Sequence, residues 1–582
     1  MRVARRVLVL GAVLCSLGCA TEPPEEPADL VLRNGKVATV DESRPDANGV
    51  AVRAGRIVAV GSDEEIEAFV GPETEVLDLE GRLAIPGFIE GHGHFMGLGN
   101  AKMILDLTKV KDWNEIVTMV GEAAKTAEPG AWIQGRGWHQ EKWASPPPGA
   151  VEGLPLHIGL SEVSPENPVI LTHASGHAGF VNAKAMELAG IDRNTPDPPG
   201  GTLVKGPDGE PIGALRETAQ RLVRDALQQY LDQRSPEEKR FDDEKRVELA
   251  SQDLLSKGVV SFHDAGADFD TIDFYKEMAE AGKLSVRLYV MVRRETNELM
   301  DEKLPQYKMT NAYDGHLTVR AIKRQIDGAL GAHGAWLLEP YEDLPGSSGL
   351  VLEPVDDIAA TAAIAVKHGY QVNTHAIGDR ANRETLDIYE KAFAAAPNIV
   401  NGGKDLRWRI EHAQHIHPDD VPRFAKLGVI ASMQAVHCTS DGPWVLKRLG
   451  EARAKSAAYV WRDLIASGAV VTNGTDVPVE DADPIASFYA SVTRVMADGT
   501  AFFPEQVMTR EEALKSYTLQ NAYAAFEEDV KGSISPGKYA DIVVLSKDIL
   551  TVPADEIPQA RVVYTIVGGK VLFRGEGAPT TE

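Results

Sequence analysis

The chain has 582 residues, 43% hydrophobic and 25% charged, the balance of a globular protein with a large core. A formal charge of −26 excludes the basic footprint that nucleic-acid phosphates demand. Of its three cysteines, Cys15 and Cys19 lie at the N-terminus and only Cys438 in the body, which excludes a disulfide framework.

Residues 1–18 read as a signal peptide. Arg2, Arg5 and Arg6 precede the apolar run Val7–Leu17, which is too short to span a bilayer comfortably. The run ends at Leu17-Gly18-Cys19-Ala20, close to a bacterial lipoprotein cleavage box, although Ser16 stands three places before the cysteine where leucine is usual. Two outcomes stay open: a membrane-anchored lipoprotein lipidated at Cys19, or a periplasmic or secreted protein with an ordinary cleaved leader. Both mean export. Residues 19–27, rich in Pro and Glu, read as a tether.

Residues 28–83 hold short apolar runs with Asn34-Gly35 and Ala54-Gly55 turns, the pattern of an antiparallel sheet. Residues 530–575 repeat it with Asp541–Leu545, Val562–Val567 and the turn at Gly568-Gly569. The two ends are expected to pair into one composite β-domain, with everything between them inserted.

From residue 84 to 525, apolar runs such as Gly258–Phe262 and Val429–Met433 alternate with amphipathic segments such as Asp356–His368. This is the βα pattern of a parallel sheet or barrel. The first run ends in His92-Gly93-His94, and alternation along a strand puts both imidazoles on one face, where they can share a metal ion. In a chain with fifteen histidines one such pair can also arise by chance.

Further runs end in His375, His412 and Asp476, the position where barrel enzymes keep their chemistry. In Leu317–Lys323, parity groups Lys323 with Leu317, Val319 and Ala321. An inward lysine is costly unless neutralised or paired, and carbamylation would turn it into an anionic oxygen donor. A surface lysine on the opposite face fits the pattern equally well.

At about 31 residues per βα unit, His375 and His412 are one unit apart, and His412 and Asp476 two. The long gap between His94 and Lys323 leaves room for an insertion over about 98–240. The ligands then fall on strands one, four, five, six and eight. Neither a G-x-S-x-G elbow nor a phosphate-binding G-x-x-x-x-G-K-[ST] loop is present.

The motifs PGFIEGHGH (86–94), GRGW (135–138), SGHAGFVN (175–182), IKRQIDGALG (322–331), THAIGDRAN (374–382), RIEHAQH (409–415) and TNGTDVPVED (473–481) resemble the amidohydrolase superfamily. Within it they are similar to the amidohydrolase-3 (YtcJ-like) branch, which includes N-substituted formamide deformylases. The resemblance implies an α/β fold: a (β/α)8 TIM-like barrel with a composite β-sandwich and an insertion after strand one that covers the mouth. It also implies two divalent metal ions, usually zinc. His92, His94 and Asp476 would hold one and His375 and His412 the other, with carbamylated Lys323 and a hydroxide bridging them. Asp476 would shuttle the proton.

The implied activity is hydrolysis of amide- or formamide-type C–N bonds in small molecules. His177, Gln434, His437 and Asp441 match positions near the substrate, with packing roles open for His177 and His437. His139, Ala329 and His333 depart from the branch's usual residues. Deamination, cyclic-amide hydrolysis and ester cleavage remain alternatives on the same fold. A non-enzymatic surface protein would be expected to lose ligands, and none is missing.

Overall fold

A computed structural model of the protein describes residues 26–140, 143, 145–174, 176, 178–397 and 406–578. The signal peptide, Cys15, Cys19, most of the tether and His177 lie outside the described residues.

The two chain ends form two sheets. One has the order Arg56–Gly61, Gly49–Arg53, Leu30–Arg33, Glu75–Asp78; the other runs Lys570–Arg574, Val562–Val567, Ile542–Leu545, Leu83–Pro86, Lys36–Ala38, Asp46–Ala47. Leu83–Pro86 pairs antiparallel with Ile542–Leu545, so this sheet exists only when both ends are present. Leu32, Val50 and Leu77 share a core with Ile542, Val544 and Ile566. The border expected between residues 83 and 84 therefore falls inside a strand: Leu83–Pro86 belongs to the composite sheet.

Eight parallel strands follow: β1 Phe88–Gly93, β2 Val259–Ala267, β3 Arg287–Val292, β4 Leu317–Gln325, β5 Gln371–Ala376, β6 Arg409–His412, β7 Ile430–Met433 and β8 Val471–Asn473. They form a nearly closed barrel, since β8 and β1 are joined by other means than a regular ladder. Asn521 donates to Ile89 O and Asn473 O, at 2.7 and 2.9 Å. Glu90 on β1 accepts from the Thr475 backbone at 2.7 Å and its hydroxyl at 2.9 Å. Beyond the strand ends, Asp476 N donates to His92 O at 2.7 Å. Gly91 permits this approach, because a Cβ there would lie 2.3 Å from Asn473 O.

Outside the barrel, Val290, Val319, Ile322, Val372 and Ile410 pack against Ile358, Leu386 and Phe424 of the surrounding helices. Burying each such side chain contributes about 1.5–3 kcal/mol. With the outer face this apolar, the inside can be polar only if its charges are paired. Arg409 donates from Nε to Glu411 Oε1 at 2.7 Å, and the floor holds the buried pair Lys531–Glu527.

The segment after β1 forms its own subdomain around a six-stranded sheet: Gly201–Lys205, Pro211–Glu217, Ala178–Val181, Val169–His173, Ile133–Trp138, Leu105–Asp106. The chain returns through the helix Pro236–Ser256, which starts at a capping box between Ser235 and Glu238 with proline in its first turn. Among the described residues no helix is long and apolar enough to cross a membrane.

Candidate metal centre

His92 ends β1, and His94 caps the helix Phe95–Met103 that follows. The ligand atoms of His92, His94 and Asp476 all lie within 4.8 Å of one another, a group able to hold a metal ion. Asp476 Oδ1 is 3.3 Å from His94 Nε2 and 3.6 Å from His92 Nε2. Lys323 Nζ is 3.5 Å from His92 Nε2. The His412 ring centre is 4.7 Å from that of His92 and 4.4 Å from that of His375. The six side chains thus form one connected cluster over the C-terminal ends of β1, β4, β5, β6 and β8.

Alternation does not bring all of them there. Val319 packs in the outer core and Ala321 in the inner cluster with Tyr289 and Met291, because the register shifts between β3 and β4 after Val319. The parity expected for Lys323 therefore holds with Ala321 but fails with Leu317 and Val319: an irregularity in a strand swaps its faces. His412 follows the inward Glu411, so strict alternation would turn it outward with Ile410. Its φ of 74° ends the strand and returns the ring to the centre. Asp476, at φ 58°, is also left-handed. Such non-glycine conformations cost roughly 1–3 kcal/mol each and persist where the surroundings enforce them.

An outer partner fixes most of these imidazoles. His92 Nδ1 contacts the Glu411 carboxylate, which Arg409 Nη2 and Ser432 also engage at 2.9 and 3.0 Å. His412 Nδ1 is 2.7 Å from Gln434 Oε1. His375 Nε2 lies 3.4 Å from Asp327 Oδ1. For His92 and His412 the contact occupies Nδ1 and leaves Nε2 free to face the cluster, the arrangement by which outer partners support metal-binding histidine. Sequence reasoning missed Glu411 and Asp327. Two charged residues at i and i+2 in a short buried strand were the available sign of Arg409 and Glu411. Gln434, expected near substrate, has its amide engaged by His412 and, through Nε2, by Ser432 O at 3.2 Å.

Electrostatics favours neutral donors. Burial, reinforced by Lys323 beside His92 and by His375 beside His412, holds both imidazoles well below the ordinary range. Burial and then Arg293 push the Lys323 amine down to about 7. For Asp476 burial acts upward, but the hydrogen bond from His94 and the charge of His412 outweigh it and keep the carboxylate ionised. Burial pushes Asp327 up to about 7 against three backbone donors, Ile377, Gly378 and Trp336.

Around the mouth, His437 stacks parallel to His412 at 6.3 Å, and its Nδ1 is 3.1 Å from Gln414 Nε2. Burial pushes Asp441 up to about 6, and it accepts from the Tyr459 hydroxyl at 2.9 Å. The inserted subdomain reaches the same rim. His139 stacks on Trp444 of the helix Ala435–Leu449, and Arg136 Nε reaches Pro478 O at 3.4 Å.

A barrel with histidine, aspartate and lysine gathered at its strand ends defines the class of metal-dependent hydrolases. The chain belongs to the Amidohydrolase family, whose sequence pattern matches residues 75–573. It is 34% identical to protein LONG AFTER FAR-RED 3 of Arabidopsis thaliana, over 96% of this chain and 94% of that one. Identity is 30% to the putative amidohydrolase YtcJ of Bacillus subtilis, covering 93% and 99%. With the N-substituted formamide deformylase of Arthrobacter pascens it is 27%, covering 94% and 99%. Among solved structures, an uncharacterized metal-dependent hydrolase from Pyrococcus horikoshii superimposes with a TM-score of 0.72 at 26% identity, over 90% of this chain and 99% of that one.

Proposed function

We propose that this protein hydrolyses amide- or formamide-type C–N bonds of small molecules with two divalent metal ions, zinc by the character of the donors. The observation that carries this reading is the single connected cluster of His92, His94, Lys323, His375, His412 and Asp476, with Lys323 Nζ 3.5 Å from His92 Nε2. The donors suit such ions: neutral imidazoles, an ionised carboxylate, and a buried amine with no carboxylate ion-paired to it among the described residues. His92, His94 and Asp476 would hold one ion, and His375 and His412 the other. Lys323 would bridge them as a carbamate, formed when its neutral amine attacks CO2, making an N–C bond and releasing one proton.

Bound there, the ions supply Lewis acidity that activates water and polarises the substrate carbonyl. Asp476 accepts the proton of the attacking water and delivers it to the leaving nitrogen. Glu411, Gln434 and Asp327 hold the imidazoles in orientation, and the inserted subdomain limits access of bulk water. Kinship with a formamide deformylase supports the amide class. Deamination, the competing reading, leaves Lys323 without a task.

A screen of N-formyl, N-acyl and cyclic amides against the zinc-loaded protein tests this. Turnover of the first two classes and about two metal ions per chain are expected; a preparation fully active after metal removal would end the reading. Export is part of the proposal, with Cys19 lipidated. Cys19→Ser should move the protein from the membrane fraction to the soluble one, and a wild type that is already soluble would exclude the anchor.

A further inference from the structure

A cavity of about 350 Å³ lies between the helix Phe95–Met103, the inserted sheet and the helix Gln220–Asp232. Pro478, two residues beyond Asp476, and Gly97, which stands against His94, form part of its wall. The cavity therefore abuts the backbone that carries two of the cluster's ligands. Its lining includes Arg136 and Arg224 and no aspartate or glutamate, in a chain where 86 acidic residues outnumber 60 basic ones.

The two guanidiniums rest on neutral acceptors. Arg136 Nη2 donates to Ala174 O at 3.1 Å, and Arg224 Nη2 to Gln220 Oε1 at 2.9 Å. The buried Gln220 in turn donates to Gly176 O at 3.2 Å, so one short loop and one glutamine hold both cations. Gly176 is left-handed at φ 75°, and a Cβ there would lie 3.8 Å from Arg136 Nη1.

Among the described residues no carboxylate forms an ion pair with Arg136 or Arg224. Burial lowers the proton affinity of the Arg136 guanidinium; the charge of Asp476 opposes this and that of Arg224 adds to it. Each guanidinium carries five N–H donors in a fork that matches a carboxylate; among the described residues two of those of Arg136 and one of those of Arg224 make hydrogen bonds. Gln134, Thr172 and Gln228 add neutral polar groups to the same wall.

We propose that this cavity is a carboxylate-binding subsite that receives an anionic arm of the substrate while its amide lies at the metal cluster. The word substrate rests on the amidohydrolase reading; the anion site does not. The charge of Arg224 acts against that of Arg136 across the cavity, and a carboxylate received there would relieve this with charge-assisted hydrogen bonds. Arg136, which touches both the cavity wall and Pro478, couples the arm to the chemistry.

Calorimetric titration of the metal-loaded protein with glutarate tests the site, comparing wild type with Arg224→Gln, an exposed position, and with Arg136→Gln. Affinity is expected to fall roughly tenfold or more in each variant, the loss of one charge-assisted hydrogen bond, with metal content unchanged. Equal affinity in all three proteins overturns the site. N-acyl amino acids and their methyl esters then identify the source of the anion. In Arg224→Gln the free acids should show a roughly tenfold higher KM at unchanged kcat, with the esters unaffected. Acids and esters turned over alike by wild type would overturn the substrate arm. Arg224-dependent glutarate binding in a protein that cleaves no amide would instead defeat the amidohydrolase reading and leave the anion site standing.

Discussion

The floor and the rim of this barrel both bury charge, but they satisfy it differently. At the floor, Lys531 pairs with Glu527 and donates to Ser261 at 2.7 Å, while Thr318 covers the other Glu527 oxygen at 2.6 Å. Close by, Arg287 grips Asp541 with two bonds of 2.8 and 3.1 Å, and Gly568 N adds a third to the same carboxylate. At the rim, Lys323 meets an imidazole 3.5 Å away instead of an acid, and Asp476 meets two imidazoles. A buried charge with its complement built in is costly only when stripped of that partner; a group of donors without one is arranged for something that arrives from outside.

Lys323→Ala breaks the contrast most sharply. Turnover should fall by about 10³-fold or more, while the thermal midpoint stays level or rises because a poorly compensated amine has left the core. Partial rescue by short carboxylic acids is expected. Full activity in this variant would remove Lys323 from the centre.

Asp541→Asn should do the reverse. It leaves Arg287 buried and uncompensated, at a cost of about 3–5 kcal/mol, with kcat of the folded fraction unchanged; urea unfolding followed by an activity assay separates the two effects. Burial raises the Asp541 carboxyl, but the charge of Arg287 outweighs it and holds the group below its ordinary value. Its contribution is therefore complete above the ordinary carboxylate pKa and is lost as pH falls through the lower folded value. The stability gap between wild type and variant should narrow in acid.

Glu411→Gln tests the outer support of His92 and should weaken metal binding about 10–100-fold in chelator competition. Gln434→Ala, which removes only a neutral partner of His412, should fall short of that, by roughly tenfold or less. Should the two rank in the opposite order, the imidazoles are not graded by the charge of their supports.

Much of this was legible in the sequence because the clustered side chains sit where apolar runs stop. His92, His375, His412 and Asp476 each mark such an ending, and the α/β alternation gave the barrel. What stayed hidden has physical causes. Helices bury the outer face of each strand as fully as the inner one, so hydropathy could not tell which way Lys323 pointed, and the irregularity after Val319 defeated parity. The turn of His412 toward the centre depends on a single backbone angle. Glu411 and Asp327 touch their histidines across strands, which no local pattern encodes. The border at residue 84 failed because Leu83–Pro86 resembles a barrel strand in composition and differs only in its distant partner.

That partner has a consequence for biosynthesis. Leu83–Pro86 finds its antiparallel neighbour in Ile542–Leu545, near the opposite end of the chain. Until those last residues emerge, an apolar strand edge waits unpaired, open to pairing with other chains. Closure of this sheet is therefore a late step, open only once residues 542–545 have been made. It also means that clipping the tail should unravel the head.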